Sequence, residues 1–177
     1  DQEVAERFLD AMINNAERLS CLISDLLDIS RIEEGKLEFV TNPVSIEKVL
    51  NSAASALKTK ASERQFTIEI EPCSRIFVLA DERTLEQILF NLIDNAVKYS
   101  GIGGRVVMRA IDNEDNVLIE VEDNGPGIDS RYRDRLFERF FRIDKGRSRD
   151  MGGTGLGLAI VKHLVIAMKG EVGMKPA

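Results

Sequence analysis

The chain has 177 residues, 44% of them hydrophobic, a formal net charge of −6 and an isoelectric point near 5.0. That gives room for one ordinary domain with an appendage and enough apolar material for a core, while the acidic balance argues against nucleic acid as a partner. The two cysteines, Cys21 and Cys73, stand far apart without companion ligands, which suggests a reducing compartment and no metal site on them.

Residues 4 to 34 read as one long amphipathic helix. Phe8, Leu9, Met12, Ile13, Ala16, Leu19, Ile23, Leu26 and Leu27 recur at three- and four-residue steps, and Ile29 and Ile32 continue the stripe. So broad a stripe must pack either on the chain's own core or in a helical hairpin or dimeric bundle. Gly35 is a candidate C-cap. Leu37 to Val40 reads as a short strand that Asn42-Pro43 breaks, and Ser45 as the N-cap of a helix reaching Arg64. Phe66 to Ile70 and Ile76 to Leu79 read as strands, and Asp81 caps a helix from Glu82 to Tyr99. Arg105 to Ala110 and Val117 to Glu122 alternate as strands joined by a turn. Asp123 to Ile128 is a loop, Arg131 to Phe141 a short helix, and Asp144 to Gly153 a mobile basic loop with Lys145, Arg147 and Arg149. A last helix runs from Gly155 to Met168, ahead of a short segment, Glu171 to Met174. This mixture predicts an α+β fold, a two-layer α/β sandwich with a mixed, mostly antiparallel sheet behind a long separate helix. No apolar run is long enough to span a bilayer, since Lys162 and His163 interrupt the best candidate, and no signal peptide is visible.

Four stretches carry chemistry. Gly152-Gly153-Thr154-Gly155-Leu156-Gly157 runs straight into Leu158-Ala159-Ile160-Val161, a glycine-rich loop opening a helix. Such a loop is either a hinge or a place where backbone N–H groups and a helix N-terminus meet a phosphate. Asn91, Asn95 and Lys98 fall on one stripe of their helix, where they are either a solvated face or a set of carboxamide oxygens for a hard cation beside a phosphate-binding lysine. Asp123-Asn124-Gly125-Pro126-Gly127 follows a strand, as a capped turn or as an acceptor for an exocyclic amine with room for a flat ring. Leu136-Phe137-Glu138-Arg139-Phe140-Phe141-Arg142 is an aromatic and arginine cluster, an anchor for the basic loop or the base of a lid whose arginines reach a nucleotide.

In this order and at these separations, the four stretches resemble the asparagine, first glycine, phenylalanine and second glycine boxes of the ATP-binding domain of sensor histidine kinases, within the gyrase-type ATPase superfamily. Leu26-Leu27-Asp28-Ile29-Ser30-Arg31 resembles the end of the second helix of their dimerisation and histidine-phosphotransfer domain. The phosphate-responsive kinases look especially similar. The resemblance implies two parts, 1–38 a partial dimerisation/phosphotransfer helix and 39–177 an ATP-binding catalytic domain whose final strand is missing. It implies ATP and Mg²⁺ as cofactors, with Asn95 holding Mg²⁺ helped by Asn91, and Lys98 and Tyr99 on the nucleotide. Asp123 would read the adenine amine, with Gly125, Gly127 and Ile128 in the same site. Arg142 would near the phosphates, cradled by Gly153, Thr154, Gly155, Leu156 and Gly157. The implied reaction is γ-phosphoryl transfer from ATP to a histidine, with Asn91, Asn95, Lys98 and Arg142 in the catalytic set.

The implied partners are a response regulator and a second copy through the helical hairpin. The fragment itself would be cytoplasmic, and the full-length protein anchored in the membrane by segments upstream. The family's acceptor histidine lies on the first hairpin helix, which this chain lacks, and His163 on the last helix is not expected to replace it. The chain alone should therefore bind ATP without phosphorylating itself. The alternatives are a nucleotide-binding or dimerisation module without turnover, or another ATPase of the superfamily. The hydrolytic members of that superfamily carry a glutamate where this chain has Asn91, which removes the water-activating base.

Overall fold

The computed structural model describes residues 2–143 and 153–175. The expected lid, from Asp144 through Lys145, Gly146, Arg147, Arg149 and Met151 to Gly152, lies outside the described residues.

Helix α1 (Gln2–Glu33) has the expected extent. It closes at Gly35, whose φ is +63°, with N–H bonds from Gly35 to Ile32 O at 3.0 Å and from Lys36 to Arg31 O at 3.1 Å. Glycine enters that left-handed conformation without a Cβ clash. The expected strand at Leu37 to Val40 is not formed. Pairing starts instead at β1 (Asn42–Ser45), antiparallel to β3 (Phe77–Ala80), with Pro43 opposite Leu79. A two-stranded pair has a free edge on each side, so a proline without an N–H fits there. Ser45 stands at the N-cap of α2 (Ile46–Ala56) but its side chain makes no capping bond. The helix expected to run to Arg64 breaks at buried Leu57, and α3 (Lys58–Glu63) follows.

α4 (Glu82–Tyr99) has the bounds read from the sequence. The Asp81 carboxylate accepts from Thr84 N and Thr84 Oγ1, both at 2.9 Å, and from Val40 N at 2.9 Å. Burial opposes the charge on Asp81, yet these donors outweigh it and hold its pKa below the ordinary value.

The main sheet has the order β2-β4-β5, made by Thr67–Ile70, Arg105–Asp112 and Val117–Asp123. β2 runs parallel to β4 and β5 antiparallel to it, so two of the three strand pairings among the described residues are antiparallel. The helix expected at Arg131 to Phe141 is a 3-10 turn, Ser130–Arg135. The last helix, α5 (Gly157–Ala167), starts two residues later than expected because Gly155 has φ +75°, outside the helical region. Among the described residues, Glu171 to Met174 forms no strand.

α4 lies between α2 and α5 and packs on β4 and β5, giving the two-layer α+β arrangement. Ile46, Leu50, Leu89, Ile93, Val97, Val106 and Met108 are buried between the layers. Each such side chain contributes about 1.5–3 kcal/mol of transfer free energy. A second cluster joins Ile29 of α1 to Ile88, Leu156, Ile160, Val161 and Leu164, which docks the end of α1 on α5. Ile32 packs on the same cluster, and the stripe before it is largely uncovered: Phe8 is 70% exposed, Met12 57%, Leu19 59% and Ile23 59%. No helix among the described residues is long and apolar enough to cross a membrane.

Candidate nucleotide-binding site

α4 buries Leu85, Ile88, Leu89, Ile93, Ala96 and Val97, so a helical period leaves Asn91, Asn95 and Lys98 half-buried beside the apolar face. Asn91 Nδ2 donates to Gln87 O at 3.0 Å, which fixes the amide and directs Oδ1 away from its own helix. A Cβ placed on Gly157 would lie 3.3 Å from Asn91 Oδ1 and 3.8 Å from Asn95 Nδ2. The first turn of α5 therefore closes over both carboxamides, and a Cβ there would press on Asn91 Oδ1. Lys98 Nζ sits 2.5 Å from Asp94, which also pairs with Lys60. Phosphate at Lys98 must compete with this carboxylate.

Asp123 ends β5, opposite Val106 in the ladder. Its Oδ1 accepts from Ser100 Oγ and from Gly125 N, both at 2.8 Å. Both donors use one oxygen, which leaves Oδ2 as acceptor for an amine. A Cβ on Gly125 would stand 2.6 Å from Asp123 Oδ1, so this turn needs glycine. Asn124 closes the other side, with Oδ1 accepting from Arg105 N at 2.7 Å. Ile128 is half-buried, Gly127 has φ +70°, and Tyr99 is 42% exposed at the end of α4. The turn reading and the acceptor reading of Asp123 are thus compatible.

The phenylalanine stretch clasps the second glycine stretch. Phe140 N donates to Gly155 O at 2.9 Å, and a Cβ on Gly155 would meet Phe140 backbone atoms at 3.1 Å and Arg142 Cγ at 3.2 Å. Arg142 is half-buried with its stem against this loop, and Leu156 is fully buried beneath it. Gly153 is buried, and the Thr154 hydroxyl accepts from Leu156 N at 3.2 Å. Arg135 lies over the Phe141 ring, 4.5 Å from its centroid. An open cleft of about 340 Å³ borders Tyr132, Arg135, Arg139 and Phe140 to Arg142; its lining includes neither asparagine nor Asp123, so it is a separate surface of the aromatic stretch.

Gly155 combines left-handed backbone with close backbone neighbours that cannot rotate away. Gly155→Ala should cost about 2 kcal/mol, or about 4–8 °C in Tm for a chain of this size, by calorimetry. A variant that melts within a degree of the parent would show that the clasp is loose.

Sequence reasoning missed three contacts between α1 and this site. Thr154 Oγ1 donates to Asp25 Oδ2 at 3.0 Å, Gln87 Nε2 donates to Asp28 Oδ2 at 3.0 Å, and Arg139 pairs with Glu33. Arg139 Nη2 also lies 3.3 Å from His163 Nε2, so the one histidine of the sequence sits half-buried on α5 within this contact. The only available signal was the placement of Asp25 and Asp28 three residues apart within an apolar helix.

Comparison with known proteins gives a consistent picture. A family described as "Histidine kinase-, DNA gyrase B-, and HSP90-like ATPase" matches residues 80–176. The sensor-like histidine kinase SenX3 of Mycolicibacterium smegmatis is 36% identical over 172 residues, covering 97% of this chain and 45% of SenX3. The chain thus spans less than half of that relative. The crystal structure of full-length ShkA in complex with AMPPNP matches at a TM-score of 0.79 with 34% identity, covering 95% of this chain and 35% of that one. The Acinetobacter baumannii histidine kinase AdeS matches at a TM-score of 0.74 with 30% identity, covering 90% and 72%.

Proposed function

The chain belongs to the histidine kinase-, DNA gyrase B- and HSP90-like ATPase family, and from that premise we propose that it is the ATP-binding catalytic part of a sensor histidine kinase. Its reaction is transfer of the γ-phosphoryl group of ATP to a histidine on another helix, for relay to a response regulator. The observation that carries the reading is the approach of Gly157 to Asn91 and Asn95, which sets a glycine loop rich in N–H donors over two carboxamides. Residues 1–38 then belong to a dimerisation and phosphotransfer domain and 39–177 to the ATP-binding domain. The uncovered stripe of α1 supports a second copy, or the other half of a hairpin, as its cover. Membrane anchoring belongs to the full-length protein.

Asp123 accepts the adenine amine, with Gly125, Gly127, Ile128 and Tyr99 around the base and ribose. Lys98, Arg142 and the N–H groups from Gly153 to Gly157 meet the phosphates. Mg²⁺ fits the donor set, since neutral carboxamide oxygens suit a hard cation shared with phosphate oxygens; Asn95 and Asn91 would hold it. Bound there, it would neutralise phosphate charge. The rest of the chemistry is alignment of the nucleophile and stabilisation of the transferring group. An ATP hydrolase is disfavoured because Asn91 has no proton-accepting carboxylate.

Asp123→Asn should weaken ATP about tenfold and GTP little, because the carboxamide keeps an acceptor for Ser100 and Gly125 but presents a donor to the amine. Competition binding with both nucleotides measures this. Equal losses would leave Asp123 as a turn cap alone.

A further inference from the structure

α1 reaches the glycine loop through a carboxylate, and that is the wrong charge for a phosphate site. Asp25 Oδ2 accepts from the Thr154 hydroxyl at 3.0 Å, and the same hydroxyl accepts from Leu156 N at 3.2 Å. A threonine hydroxyl has one hydrogen to donate, so while Asp25 holds it, no phosphate oxygen can take it. Thr154 lies between Gly153 and Gly155, and Gly157 three residues on abuts Asn91 and Asn95. Asp28 binds Gln87, whose carbonyl oxygen holds Asn91. The α1 carboxylates therefore meet the loop and α4 on the side where the proposed site would place its phosphates.

We propose that Asp25 is a latch that occupies the phosphate-binding loop while α1 is docked, so that nucleotide binding and α1 docking oppose one another. This rests on the nucleotide reading of the site and adds its regulation. Linkage makes the opposition reciprocal: the factor by which docking weakens ATP is the factor by which ATP loosens α1. The environment of Asp25 agrees. Burial, foremost, holds its carboxyl above the ordinary carboxylate value; the Thr154 bond opposes this, Asp28 adds to it, and Lys98 opposes it. A charge this poorly solvated gains when α1 lifts away. The surrounding contacts set the strength of the latch: Ile29 buried against α5, and the Glu33–Arg139 pair with His163 beside it.

The test uses the whole chain and the variant D25N. Asparagine keeps an acceptor for Thr154 and removes the charge, so the fold and the loop are retained. D25N should bind ATP·Mg²⁺ about tenfold more tightly, ADP·Mg²⁺ by a smaller factor, and adenosine unchanged, by calorimetry. A fluorophore on Cys21 reports docking, because Cys21 is exposed one helical turn from Asp25 whereas Cys73 is buried. Its anisotropy should fall on adding ATP to the parent chain and fall less in D25N, where no carboxylate repels the phosphates and α1 keeps its bond to Thr154. Equal gains for ATP and adenosine would mean general loosening of α1 and would overturn the latch. An unchanged ATP affinity in D25N, with the parent binding ATP, would overturn it and leave the site reading intact. A parent chain that binds no nucleotide would remove both.

Discussion

Asn95→Ala should lower the Mg²⁺-dependent affinity for ATP about a hundredfold while leaving the metal-free affinity nearly unchanged. Loss even of groups that only support a metal ligand costs about 10–100-fold, and a direct ligand belongs at the upper end of that range. Asp94, the adjacent carboxylate, is a poor substitute because it is already shared by Lys60 and Lys98. Asn91→Ala should cost less metal affinity than Asn95→Ala, since Asn91 is given the assisting role. The Asn95 variant should remain folded, because its side chain is half-buried at the edge of α4 rather than in the core. Calorimetric titrations with and without Mg²⁺ separate the two terms. If Asn95→Ala retained the full Mg²⁺ increment, the cation would have to be held elsewhere.

The parts of the fold that were legible in the sequence are those whose cause is local. α4 has the bounds that Asp81, the apolar period and Tyr99 predict, because cap and period both lie within the helix. The same holds for the β4–β5 hairpin, although each strand extends slightly further than alternation alone indicated. The errors share a different cause. Pro43 reads as a breaker until β3 is known to be its one strand neighbour among the described residues, in a two-stranded pair that tolerates the missing N–H. The helix read through to Arg64 breaks at Leu57, a core residue with φ −103° and ψ 2°, a backbone setting that its sequence neighbours do not announce. The four boxes were legible by spacing. Their mutual contacts, Gly157 on the asparagines and Phe140 on Gly155, link residues far apart in the chain and needed the fold. The contact of Asp25 with Thr154 spans 129 positions, and its one sign in the sequence is a carboxylate three residues from Asp28 on the helix.

Supplied with a partner that carries the first hairpin helix and its histidine but cannot bind ATP, this chain should label that histidine from radioactive ATP. In the proposed reading the nucleotide site is assembled from residues of this chain and the acceptor is a histidine on another helix, so transfer needs only docking that aligns the nucleophile. The uncovered stripe of α1 is the surface available for docking. Leu19 is 59% exposed and Leu26 45% exposed, so neither supports the core of this chain. Leu19→Asp or Leu26→Asp should therefore leave Tm and ATP affinity nearly unchanged. Each would bury a charge without a partner in an apolar helical seam, at a penalty of several kcal/mol, so transfer should fall on the order of a hundredfold. Leu156→Asp provides the contrast: Leu156 is fully buried beneath the glycine loop, and its replacement should cost stability and ATP binding together. Equal labelling by the parent chain and by Leu26→Asp would show that the stripe is not the docking surface. A folded, ATP-binding parent chain that never labels the partner would leave a nucleotide-binding module without transfer.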